Sequence, residues 1–182
     1  MSWKQATNTG WTVRINDDLS SVALIDPSYI TRATLRPGPG DEFTAHFSRL
    51  AREPLSERID RYGAALRKGV PASLELADGT SGAVTDQMPG KMRRKHKSAE
   101  VILPGRIYRL RHTSGRKASA QRDGAPLADL VRGRGLRSIS VTRTTQAPTD
   151  HLDELVLTLF EKVIVPGRTG AIDEFVSSIS GV

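Results

Sequence analysis

Apolar and polar side chains alternate over much of this 182-residue chain, and a period of two marks a strand with one buried face. Residues 11–16 alternate and run into Asn16-Asp17-Asp18, which is turn chemistry. Residues 21–26 form a short apolar run that Asp26-Pro27 breaks; 29–35 resume the alternation until Pro37-Gly38-Pro39-Gly40 stops it. The period then changes. Phe43, Phe47 and Leu50 recur at helical spacing, as do Leu55, Ile59, Tyr62 and Leu66 after Pro54, so the pattern predicts a helical pair over 41–52 and 54–68. Strand spacing returns at 73–77 and 81–86, which flank the hairpin signal Asp78-Gly79. Beyond a loop over 87–98, further strands are predicted at 99–103, 106–112, 117–122, 126–131 and 136–143. Pro104-Gly105, Ser114-Gly115, Asp123-Gly124, Gly133 and Gly135 punctuate them. Connections this short cannot cross over a sheet, so neighbouring strands should be antiparallel.

The last part of the chain has a different character. Asp150 is placed to cap a helix, with Asp153 and Glu154 in its first turn, Lys162 near its end and Pro166-Gly167 beyond. Leu152, Leu155, Val156, Leu157, Leu159, Phe160, Val163, Ile164 and Val165 cover roughly 200° of the helix circumference, wider than the stripe of a surface helix. A mostly buried helix over 150–165 is therefore expected, followed by a short one over 170–180 carrying Ile172, Phe175, Val176 and Ile179. Together these elements predict a single α+β domain over 1–182. It would be a mainly antiparallel sheet or partly closed barrel around the C-terminal helix, with the helical pair inserted near 41–68.

One stretch has a familiar order. The alternating strand Tyr108-Arg109-Leu110-Arg111-His112 leads to the turn Ser114-Gly115-Arg116-Lys117. Then come Gln121-Arg122-Asp123-Gly124-Ala125-Pro126-Leu127-Ala128, another strand and the apolar helix. This order, over the C-terminal half, resembles the tubby-like barrels, a group that includes phospholipid-scramblase and plant LURP-type domains. The resemblance implies an antiparallel barrel closed around a hydrophobic C-terminal helix, a binding or scaffolding role, and anionic lipid headgroups as ligand. It transfers no ligand-contacting residue. Two features depart from it: the helical pair stands where more hairpins belong, and the C-terminal helix keeps a polar side of Glu154, Thr158, Glu161 and Lys162.

The formal charge of +7 conceals a segregation. Residues 1–90 carry 10 basic and 11 acidic side chains (net −1), 91–143 carry 15 and 3 (net +12), and 144–182 carry 2 and 6 (net −4). A block so lopsided calls for an anionic partner or an acidic neighbour. The run Lys91-Met92-Arg93-Arg94-Lys95-His96-Lys97 is its densest part. On a membrane each such cation contributes about 1 kcal/mol toward anionic lipid; on nucleic acid each phosphate contact releases counterions. The run holds no aromatic residue for base stacking. Arg109 and Arg111 share one strand face, with Arg116 on the next turn. The plainer alternative is internal: the acidic tail packs beside the block and neutralises it.

Catalytic chemistry is sparse. The chain has no cysteine, which removes disulfides, thiolate metal sites and thiol nucleophiles. His46, His96, His112 and His151 lack metal-ligand spacing. Ser114-Gly115-Arg116-Lys117 matches S-x-x-K only in letters, since that chemistry needs one helical turn and this segment reads as a hairpin turn. No nucleophile elbow, phosphate-cradling loop or dinucleotide fingerprint occurs. Without an apolar leader or a bilayer-length apolar run, the reading is a cytoplasmic protein.

The expectation is a non-enzymatic binding or scaffolding domain without a cofactor. It engages anionic lipid headgroups or an acidic protein partner through Lys91, Arg93, Arg94, Lys95 and Lys97, supported by Arg109, Arg111 and Arg116. The runner-up is a nucleic-acid-binding protein using the 91–143 region on phosphates; a third reading is a structural subunit of a larger assembly.

Overall fold

A computed structural model of the chain describes residues 9–16, 20–38, 44–45, 64–65, 71–87, 98–133 and 140–164. Ten strands form one antiparallel sheet: β1 (Thr12–Ile15), β2 (Val22–Ile25), β3 (Thr31–Arg36), β6 (Ala72–Leu76), β7 (Ser81–Gln87), β8 (Ser98–Leu103), β9 (Arg106–His112), β10 (Lys117–Arg122), β11 (Ala125–Arg132) and β12 (Val141–Thr145). Each strand pairs with the next in this order, so the sheet is a meander. Two dipeptides, β4 (Thr44–Ala45) and β5 (Ala64–Ala65), pair separately.

The strands form where the alternation places them. Inward positions are apolar along successive strands: Val22 and Leu24, Ala33 and Leu35, Ala72 and Leu74, Ala99 and Val101, Tyr108 and Leu110, Ala118 and Ala120 are all buried. Turn chemistry sets where they stop. At Asp123-Gly124 both residues have positive φ (52° and 83°), the primed geometry whose twist matches a two-residue hairpin. Gly82 serves a close approach, since a Cβ there would stand 2.5 Å from the Ile102 carbonyl oxygen on β8.

Two expectations are corrected. The described residues inside 41–68 form the short antiparallel pair β4–β5 instead of helix; the remainder of the helical pair lies outside the described residues. The sheet is open. Among the described residues β1 and β12 are its two edges and do not pair, so no barrel is closed by hydrogen bonds. The physical reason is the C-terminal helix, which packs against β1 and β2 while its last turn packs against β12. The helix thus bridges the two edges by side-chain packing, and the apolar face there is buried without a closing ladder. The strand expected over 136–143 begins at Val141, and the helix expected over 170–180 lies outside the described residues.

Helix α1 (His151–Leu159) continues as a π-helical turn over Phe160–Ile164. Asp150 caps it in a reciprocal box: its Oδ1 accepts from the Asp153 N–H at 2.9 Å and Asp153 Oδ2 accepts from the Asp150 N–H at 2.9 Å. Leu155, Val156, Leu157, Leu159, Phe160, Val163 and Ile164 are buried against the sheet. Burying each side chain of this size contributes about 1.5–3 kcal/mol, which is why the helix holds the fold together. Its polar side is buried as well: Thr158 donates to the Glu154 carbonyl at 2.8 Å, and Glu161 is 5% exposed. Of the polar residues that departed from the tubby-like pattern, Thr158 and Glu161 are therefore enclosed, Glu154 is half-buried and Lys162 is exposed.

A meander sends successive connections to opposite ends of the sheet. One end carries the tight turns at 26–30, 77–80, 104–105 and 123–124, and the link at 146–150 into α1; this is the turn end. The opposite end receives both termini of the connections at 16–21, 37–71, 88–97, 113–116 and 133–140; this is the loop end. Helix α1 starts at the turn end, where the Trp11 and His151 rings meet at 4.8 Å with a 59° tilt, and runs back toward the loop end.

Candidate anion-binding surface

The cations of the 91–143 block have different fates at the two ends. At the turn end they meet the acidic tail. Asp153, fully buried, accepts from Arg122 Nη1 at 2.5 Å and from the Tyr108 hydroxyl at 2.9 Å. Arg106 Nη1 donates to Tyr108 Oη at 3.2 Å, and it lies 2.6 Å from Asp150 Oδ2 and 3.5 Å from Asp153 Oδ1. Burial pushes the Tyr108 hydroxyl's pKa well up, so it remains a donor to Asp153 near neutrality. Burial acts to raise the Asp150 pKa, but the Asp153 N–H and the Arg106 guanidinium outweigh it and hold the carboxyl below its ordinary value. Deeper in the core, Arg143 is 2% exposed. It donates through Nη2 to Glu154, and its Nε lies 3.3 Å from Glu161 Oε1 without hydrogen-bond alignment. Burial raises Glu161 to a pKa of about 7, against the lowering effect of Arg143. The same logic holds at the β2–β3 turn, where buried Asp26 accepts from the N–H groups of Ser28 and Ile30 and from Arg32 Nε at 2.6 Å. Internal neutralisation thus accounts for Arg106, Arg122 and Arg143.

It does not extend to the loop end. Arg36, Arg111, Arg116 and Lys117 have no carboxylate partner among the described residues; Arg36, Arg111 and Lys117 are exposed and Arg116 is half-buried. Arg111 sits on the outer sheet face directly opposite Ser98 of β8 and Ser119 of β10. Lys117, opposite Thr113, is one diagonal away. Arg116 lies in the β9–β10 turn: its N–H donates to Ser114 Oγ at 3.4 Å, and its carbonyl accepts from the Arg132 N–H at 2.8 Å.

Of the residues singled out in the sequence, Lys91, Arg93, Arg94, Lys95 and Lys97 lie outside the described residues. Their segment begins after Gln87 and ends before Ser98, which pair with each other, and Ser98 is Arg111's cross-strand neighbour. Arg111 and Arg116 stand open. Arg109 does not: Glu100, directly opposite on β8, accepts from its Nε at 3.1 Å and from its Nη2. The shared parity of Arg109 and Arg111 concealed this, because only the register reveals which of them faces a carboxylate. Ser98, Ser119 and Lys117 were missed as neighbours for the same reason. Their parity along each strand was visible, but their meeting around Arg111 required the alignment of three strands.

Among the described residues, no group of His, Asp and Glu could hold a metal ion, and no helix is long and apolar enough to cross a membrane. No protein-family model matches the chain, and comparison with curated proteins and with solved structures finds no match.

Proposed function

We propose that this chain is a non-enzymatic binding or scaffolding domain that docks an anionic surface, lipid headgroups first, through the loop end of its sheet. The observation that carries this reading is the sorting of cations. Arg32, Arg106 and Arg122 at the turn end are matched by carboxylates, whereas Arg36, Arg111, Arg116 and Lys117 at the loop end meet none among the described residues. Uncompensated charge that a fold concentrates on one side raises the local concentration of counter-ions and speeds encounter with an anionic partner. The segment bearing Lys91, Arg93, Arg94, Lys95 and Lys97 is anchored at this end through Gln87 and Ser98, and connections at one end of a rigid sheet are common carriers of binding residues.

The test is flotation with vesicles containing anionic lipid, alongside mobility shift on mixed-sequence DNA and RNA, each titrated with salt. Expected are vesicle binding that weakens as salt rises and its loss when Lys91, Arg93, Arg94, Lys95 and Lys97 are replaced together by Ala. Nucleic-acid binding of equal strength, or vesicle binding indifferent to that replacement, would overturn the reading.

A further inference from the structure

The loop end contains one arrangement more specific than a general positive charge. Ser98, Arg111 and Ser119 stand in a single row across β8, β9 and β10, on the outer face of the sheet. Directly opposite side chains have Cβ atoms roughly 5 Å apart, so a serine stands beside the Arg111 side chain on each side, within reach of a ligand that the guanidinium holds. Neither serine hydroxyl and no guanidinium nitrogen of Arg111 has a hydrogen-bond partner among the described residues. Lys117 adds a second exposed cation on the diagonal. The carboxylates nearest in register are engaged elsewhere: Glu100 accepts from Arg109, and Asp129, beyond Ser119, accepts from the Gln146 side-chain amide.

The geometry points to a phosphate-monoester subsite centred on Arg111, deepening the docking function proposed above and resting on it for the biological source of the phosphate. An exposed arginine fork presents parallel N–H donors that match two oxygens of a tetrahedral anion, and the hydroxyls of Ser98 and Ser119 supply donors to the others. Two cations, Arg111 and Lys117, balance a dianion. That favours a terminal monoester, whose second ionisation falls near pH 6, over a diester with a single charge. Asp129 bounds the site on the β11 side, so the ligand's remaining bulk extends toward β8.

The full chain is titrated by calorimetry with inorganic phosphate and with glycerol 3-phosphate. In parallel it is bound to phosphatidylcholine vesicles containing phosphatidate (a monoester) or phosphatidylglycerol (a diester). Arg111→Gln should lower phosphate affinity about tenfold or more, and Arg111→Lys by several-fold although its charge is kept. The double variant Ser98→Ala/Ser119→Ala should also lose several-fold. Affinity should fall between pH 7.5 and 5.5 as the monoester loses its second charge. Preference for phosphatidate vesicles, competed by inorganic phosphate, assigns the source as lipid; binding of the free monoesters without vesicle preference assigns it as soluble. Unchanged phosphate affinity in Arg111→Gln, or full affinity in Arg111→Lys, overturns the subsite. If that happens while alanine replacement of the 91–97 cations still abolishes vesicle binding, the docking function stands and this site alone fails. If Arg111-dependent phosphate binding persists with no anionic vesicle bound, the docking function fails and the site stands. Unchanged thermal unfolding of each variant separates loss of the site from loss of the fold.

Discussion

The two ends of the sheet use the same side chain for opposite purposes. At the turn end arginine is structural. Arg106 and Arg122 reach the N-terminus of α1, where Asp150 and Asp153 complete the cap and Tyr108 links Arg106 to Asp153. At the loop end Arg111 and Lys117 point away from the core and meet no carboxylate among the described residues. The lesson is that a net charge of a segment does not measure its availability. What counts is whether strand parity and register bring the cation to a carboxylate: on one outer face Arg109 meets Glu100, whereas Arg111 stands between two serines.

The comparison breaks most readily at Asp153. Asp153→Ala removes the acceptor shared by Arg122 and Tyr108 and strands buried polar groups, which should cost about 3–5 kcal/mol in urea unfolding. Next comes Glu161. Its folded-state pKa of about 7 lies above the ordinary 4.5, so the folded chain holds this proton more tightly than the unfolded one. The stabilisation is complete below about 4.5 and is lost as the pH rises through about 7, a decline of roughly 3 kcal/mol from this group. Glu161→Gln should flatten that slope in unfolding measured across the same pH range. Asp150→Ala, which removes the cap and the Arg106 pairing, should cost about 1 kcal/mol. The smallest effect on stability belongs to the loop end: Arg111→Gln and Lys117→Gln should each stay within about 0.5 kcal/mol of the parent while weakening anion binding. A large loss of stability at Arg111 would erase the distinction between the ends.

Much of the sheet was legible because alternation is a local property. The strand over Arg106–His112 and the one over Lys117–Arg122 stand where the pattern put them. The turn at Asp123-Gly124 was legible because it needs positive φ at two positions. Thr44–Ala45 and Ala64–Ala65 were not, because a two-residue pairing depends on the partner available, which helical spacing in the flanking residues cannot report. The polar side of α1 stood out in the sequence only as a departure from a fully enclosed helix. Glu154 and Glu161 meet Arg143, an arginine on the inner face of β12, and a helical wheel does not display what the opposing sheet contributes. The candidate site was legible as a charge excess and as Arg111 and Arg116, while the serine-flanked row appeared only with the register.

The order in which the elements occur along the chain has a consequence for synthesis. Every strand of the sheet precedes α1, and α1 covers the apolar inner face. A nascent chain therefore emerges from the ribosome with its greasy side bare and stays that way until residues 150–164 clear the exit tunnel. The sheet cannot bury that face before α1 is available, so a ribosome stalled within the strands holds an adhesive intermediate.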